Sequence, residues 1–295
     1  MEEGDPGFAE VLGHRLFYRS FGPSRGSATL LGLHGGPGAS HDYLRPIADL
    51  AAYGYRVVLF DQLGCGRSDV PDDRSLFTIE HHVEETEGIR RALRLGRVHL
   101  LGSSYGGLLA LAVALAHPRS LRSLTTVGGL ASVPLAQAEM DRLRAALPAG
   151  VREVLDRCER DGTTGSPEYQ TAAMEFYRRH VCRLPVWPRE LDRSLELANS
   201  HPVYPYMNGP SEFTITGTIR EVDLSARLPE IRLPTLVLGG RYDEVTPKVA
   251  AQIRDGIPGA RGVTFEQSAH VPFWEERERF REVVAGFLKE VDAPP

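Results

Sequence analysis

Lysine is almost absent from this chain. Lys248 and Lys289 are the only two among 295 residues, so nearly all positive charge is arginine. Charge of that sign is also in deficit: 34 Lys and Arg stand against 39 Asp and Glu, a net −5. This balance gives no electrostatic reason to expect nucleic acid or an anionic membrane as a partner. Cysteine is scarce. Cys65, Cys158 and Cys182 lie far apart with no C-x-x-C pair, which argues against a disulfide framework and predicts reduced thiols in a cytoplasmic protein. Long apolar runs are missing too. The longest, residues 108–116, is too short to span a bilayer and predicts a buried helix. Residues 1–6 are acidic and lack the apolar core of a signal peptide.

What remains is ordinary for a globular protein, with 42% hydrophobic and 25% charged residues. The length suits one large domain or a domain carrying an insertion. Residues 14–21 interleave aromatic, apolar and polar side chains, as an edge hairpin does. Short apolar runs at 29–33, 55–60, 98–101 and 121–127 predict buried parallel strands, with helical spacing at 40–52, 79–95 and 108–116 between them. This alternation argues for a mostly parallel sheet covered on both faces. The rhythm then breaks. Between about 130 and 230 we expect helices, including 135–157 and 167–183, and aromatics and prolines cluster over 185–210. Strands resume at 234–238 and 262–265, and a terminal helix fits 275–291. The predicted organisation is an α/β core over 1–129 and 231–295 with a helical cap at 130–230.

Gly102-Ser103-Ser104-Tyr105-Gly106 sits between a predicted strand and a predicted helix. That is the G-x-S-x-G context in which a sharp turn lifts a serine hydroxyl clear of the sheet. Small residues are needed at Gly102, Gly106 and Gly107, where a Cβ would collide with neighbouring backbone. Alone, so short a pattern also fits a chance Gly/Ser loop. A serine needs a base, and the base an orienting acid, in the chain order Ser, acid, His. Asp243 follows one predicted strand and His270 the next, at the sheet edge that carries Ser104. A lone aspartate there is usually a turn former and a lone histidine usually structural, but their order and placement favour a catalytic triad. The oxyanion of the tetrahedral intermediate would take backbone donors from Tyr105 and from Gly36, in the glycine loop after residue 33. That loop lacks G-x-G-x-x-G, and no set of histidines has metal-ligand spacing, so we expect no cofactor and no metal. His81 and His82 read as neighbours on a surface helix.

His34-Gly35-Gly36-Pro37-Gly38, Asp61-Gln62-Leu63-Gly64-Cys65-Gly66-Arg67-Ser68, the serine turn and the Asp243/His270 pair together resemble the proline iminopeptidase family of α/β-hydrolases. Residues 210–217 and 242–247 resemble most its tricorn-interacting aminopeptidase branch. The resemblance implies the α/β-hydrolase fold with an inserted helical cap. It also implies a free α-ammonium held by Glu212 from the cap and Glu244 from the core. By themselves these would read as a solvated loop charge and an acid near a helix start capped by Thr246 and Pro247. Ser103 and Tyr105 stand where many prolyl-specific members carry glycine and tryptophan, which argues against strict proline preference. The expected activity is a serine amidohydrolase acting on a small peptide or aminoacyl amide with a free amino group. The rival readings are removal of an aminoacyl group from a macrolactam intermediate, and a non-catalytic binding protein of the same fold.

Overall fold

The computed structural model describes residues 4–23 and 27–294. Its strands are β1 (Asp5–Val11), β2 (His14–Phe21), β3 (Thr29–Leu33), β4 (Arg56–Phe60), β5 (Val98–Ser103), β6 (Leu121–Val127), β7 (Thr235–Gly240) and β8 (Arg261–Phe265). They form one sheet in the order β1-β2-β4-β3-β5-β6-β7-β8. The β1/β2 and β2/β4 pairs are antiparallel, and the remaining pairs run parallel. β3 and β5 are buried along their whole length, which explains why they read as continuous apolar runs. Along them side chains alternate between two cores. Leu31 and Leu100 face one, and Leu30 and Leu101 the other.

Helices α1 (Ile79–Ala92), α2 (Tyr105–Ala116) and, C-terminal in the chain, Pro247–Gly256 cover the first face. A three-residue-per-turn helix, His41–Tyr53, and the terminal helix Arg277–Asp292 cover the second. Between β6 and β7 the chain passes through α3 (Val133–Ala145), α4 (Ala149–Arg160), α5 (Pro167–His180), α6 (Arg189–Ser200) and α7 (Val203–Met207). After β7 come α8 (Pro247–Gly256), α9 (Pro272–Glu275) and α10 (Arg277–Asp292). Chain order reverses beside β3 and β5, so the loops leaving those strands flank the crevice where open α/β sheets bind ligands.

Several boundaries differ from the sequence expectation. The helix expected over 135–157 is two, because Pro148 has no amide to continue the ladder and opens α4 in an extended conformation. The one expected over 275–291 starts afresh after Glu276, whose backbone (φ −126°, ψ 52°) is not helical. β1 pairs with β2 through a Leu12-Gly13 turn in which both residues take positive φ, a hairpin geometry that Leu12 does not advertise.

Candidate active site

Ser104 closes β5 and opens α2 with φ 58° and ψ −127°, a strained conformation for a residue with a Cβ. The surroundings impose it. Ser104 N donates to Val127 O on β6 at 2.9 Å, and the amides of Gly107 and Leu108 return to Ser104 O at 2.7 and 3.3 Å. A Cβ at Gly106 would strike the Leu33 carbonyl, so α2 approaches β3 this closely only with glycine there. Tyr105 is the first residue of α2, and its amide is one of those a helix leaves without an internal acceptor.

The two glycine-containing motifs are bolted to each other. Gln62 N donates to His34 Nε2 at 3.0 Å, and Gln62 Nε2 donates to His34 O at 2.9 Å. Gly35 N donates to Tyr43 OH at 2.7 Å. Asp61, fully buried, accepts from His41 N and Arg67 N and lies 2.8 Å from His41 Nδ1. Burial opposes its charge, but the adjacent His41 prevails and holds the carboxyl below its usual range. Gly36 thereby sits on a braced loop that lines the same cavity as Ser104.

On the opposite wall His270 Nδ1 lies 2.7 Å from Asp243 Oδ1, which also accepts from Val245 N at 2.8 Å. Both side chains are buried. Burial alone would lower the imidazole pKa, but the Asp243 charge and hydrogen bond, with Glu244 and Glu212 behind them, push it up to about 10. Gly128 leaves room for this pair, since a Cβ there would stand 2.7 Å from the His270 ring. Glu244 is buried with Oε1 3.9 Å from His270 Nε2. Protein surrounds Glu212, which keeps part of its surface open to the cavity and accepts from Tyr204 OH at 2.7 Å. Burial raises both carboxyl pKa values, Glu244's strongly, while the His270 charge opposes the rise and favours the ionised forms.

Ser104, Gly36, Glu212 and Glu244 are shared by two adjoining chambers. One also contains His270, with Val181, Leu191, Leu195 and Ala198 as apolar lining. The other extends past Tyr105 to Leu108, Leu130, Met140, Ile215 and Val245, without His270. Among the described residues, no group of three or more His, Cys, Asp and Glu is arranged to hold a metal ion. Nor is any helix among them long and apolar enough to cross a membrane.

Residues 28–277 match the family model of the alpha/beta hydrolase fold. The chain is 43% identical to a proline iminopeptidase of Saccharolobus solfataricus, across 97% of this chain and 93% of that protein. The chain belongs to the proline iminopeptidase family of α/β-hydrolases. It is a hydrolase. Among solved structures, VinJ superposes with a TM-score of 0.95 at 38% identity, covering 97% of this chain and 99% of VinJ. Proline iminopeptidase from Mycobacterium smegmatis follows at 0.90 and 38%, covering 98% and 99%.

Two features of this family member escape sequence reasoning. His82 is not on the surface. It is buried on the inner side of α1, with Nδ1 2.8 Å from Tyr105 OH, and burial drives its pKa down to about 3. Adjacent residues on a helix project about 100° apart, so His81 and His82 cannot share one environment. The second feature is a strap at residues 180–183. His180 O accepts from Glu244 N at 3.1 Å, and Val181 O accepts from His270 N at 3.0 Å. Glu275 then joins Arg183 N and Ala269 N, each at 2.8 Å. The segment between β6 and β7 is thus hydrogen-bonded directly to the loops that carry Glu244 and His270.

Proposed function

We propose that this hydrolase is a serine aminopeptidase that releases the N-terminal residue from a peptide or aminoacyl amide. The observation that carries this reading is the pair of carboxylates, Glu212 and Glu244, lining the cavity that also holds Ser104 and His270. A carboxylate pair in so dry a place favours an ammonium and penalises an N-acylated substrate. The names of relatives such as the proline iminopeptidases agree with it.

The ammonium enters between the glutamates and brings the first carbonyl against Ser104. His270 takes the Ser104 proton as the oxygen attacks, while Asp243 fixes the imidazole tautomer and orientation. The Gly36 and Tyr105 amides receive the oxyanion. His270 then passes the proton to the departing amine, leaving an acyl-enzyme that a water molecule hydrolyses. Since His270 lines only one chamber, the leaving group belongs there and the side chain of the released residue occupies the other. Residues 130–230 act as the cap that supplies most of both apolar linings.

The test is kcat/KM for matched free and N-acetylated aminoacyl anilides with the wild type, Glu212→Gln and Glu244→Gln. One charged hydrogen bond is worth about 1.5–3 kcal/mol, so each change should cost on the order of tenfold to a hundredfold on the free amine. Equal handling of both substrates, unaltered by either change, would rule out the ammonium anchor. A second reading rests on the Leu191, Leu195 and Ala198 lining beside His270, which fits a bulky apolar amine such as a macrolactam as leaving group. A panel pairing one aminoacyl group with peptide and apolar amines separates the two.

A further inference from the structure

The Nε2 of His270 faces a carboxylate in the cavity that Ser104 also lines. His270 Nε2 is buried, makes no hydrogen bond to any described residue, and lies 3.9 Å from Glu244 Oε1. Glu244 Oε2 is likewise buried and unpartnered. The groups facing the imidazole are Asp243 and Glu244 from the loop after β7 and Glu212 from the inserted segment. Behind Glu212 stand the hydroxyls of Tyr204, Tyr177 and Tyr43, and beside Asp243 stand His180 and Glu275. Among these groups the His270 imidazole alone is drawn towards a positive charge by three acids.

We propose that Glu244 gates the base: in the free site its carboxylate holds the His270 imidazolium as counter-ion, and so in its protonated form, until a cationic substrate takes over that role. This rests on the ammonium-anchor reading above and extends it from binding to catalysis. The balance is one for one. The imidazolium and an entering ammonium give a neutral imidazole, a bound ammonium and one proton released to solvent. The charge between the glutamates is unchanged, but the field at His270 loses one negative equivalent, so its pKa falls toward the working range of a general base. The raised pKa of His270 in the empty site agrees with this picture. A neutral ester would meet a protonated, disarmed imidazole.

The distinguishing experiment compares wild type and Glu244→Gln on an aminoacyl anilide and on p-nitrophenyl acetate across pH. Glu244→Gln should lose about tenfold or more on the anilide, as any anchor residue would. On the acetate it should gain about threefold to tenfold at pH 7, and the acid limb of its profile should move to lower pH, since one pKa unit changes the neutral base about tenfold. A residue that only binds ammonium would leave the acetate profile unmoved, and that result overturns the proposal. If the wild type hydrolyses free and N-acetylated anilides equally, the anchor itself fails, which is a separate outcome. Calorimetry on Ser104→Ala gives a second readout that needs no Glu244 variant. Binding of an amino-acid amide, titrated in buffers of different ionisation enthalpy, should release about one proton per site. Release of none would also overturn the proposal.

Discussion

Tyr204 donates its hydroxyl to Glu212 Oε1 across 2.7 Å. Burial raises the Glu212 pKa, while the phenol, by bonding the ionised form, pulls it down. Tyr204→Phe keeps the ring and removes that bond, so the Glu212 pKa should climb further. For a free aminoacyl anilide, kcat/KM should fall about tenfold to a hundredfold at neutral pH, the effect of one hydrogen bond to a charged group. The loss should shrink as pH rises and the carboxylate ionises again. A pH profile of kcat/KM for the two proteins reads this directly.

Ser104 is both the proposed nucleophile and the most strained residue of the turn. Ser104→Ala should abolish turnover with little change in Tm, because alanine inherits the same φ. Ser104→Gly should also be inactive, yet melt at a higher temperature, since glycine adopts φ 58° without the roughly 1–3 kcal/mol of strain such positions hold. Asp243→Asn should fold and lose several orders of magnitude in kcat, as the imidazole loses its orienting charge. Thermal melts and turnover of the three variants test the set.

Glu85, on the inner side of α1, is buried against Leu63 N with no ion pair among the described residues, and burial pushes its pKa up to about 8. A carboxyl with a raised folded-state pKa contributes stability that is full below its unfolded pKa. That contribution is lost as pH rises from about 4.5 through 8. Glu85→Gln removes this titration at nearly constant shape. The variant should gain on the wild type as pH rises through that window, by up to about 1.4 kcal/mol per unit. Tm measured at pH 5, 6, 7 and 8 would show a widening gap; a constant gap would contradict it.

The two chambers should separate under substitution. Met140→Phe fills the one without His270 and should narrow the choice of released residue. Leu195→Phe fills the one with His270 and should penalise bulky leaving amines instead. Added volume costs about 1–3 kcal/mol of packing, so ranking of substrates, not total activity, is the measurement. Identical changes in ranking from both variants would put the two substrate groups in one chamber.

Strand ends were the legible part of this chain. Ser104, Asp243 and His270 each follow an apolar run, so their order and topological level are legible in the sequence. Gly36 was legible for the same reason. Burial of polar groups was not. Along α1 the inward positions His82, Glu85, Thr86 and Ile89 keep helical spacing, but three of the four are polar, so hydrophobic periodicity cannot mark the face. The Tyr204 contact to Glu212 was equally hidden, because only the packing of α7 beneath the following loop brings residues 204 and 212 together. β1 is illegible in the sequence because its Pro6 and Gly7 argue against a strand, and its partner β2 overrules them.

The strap at residues 180–183 bears on how such an enzyme can be re-engineered. Its carbonyls and amide hold the Glu244 and His270 loops at the same time. A chimera that imports a foreign insertion by cutting cleanly at the ends of β6 and β7 would replace those partners along with the pocket wall. The grafted protein could inherit every residue of the host's constellation and still hold its acid and base loops out of register. Donor segments should therefore be joined so that the host's 180–183, or a backbone of the same course, stays with the host.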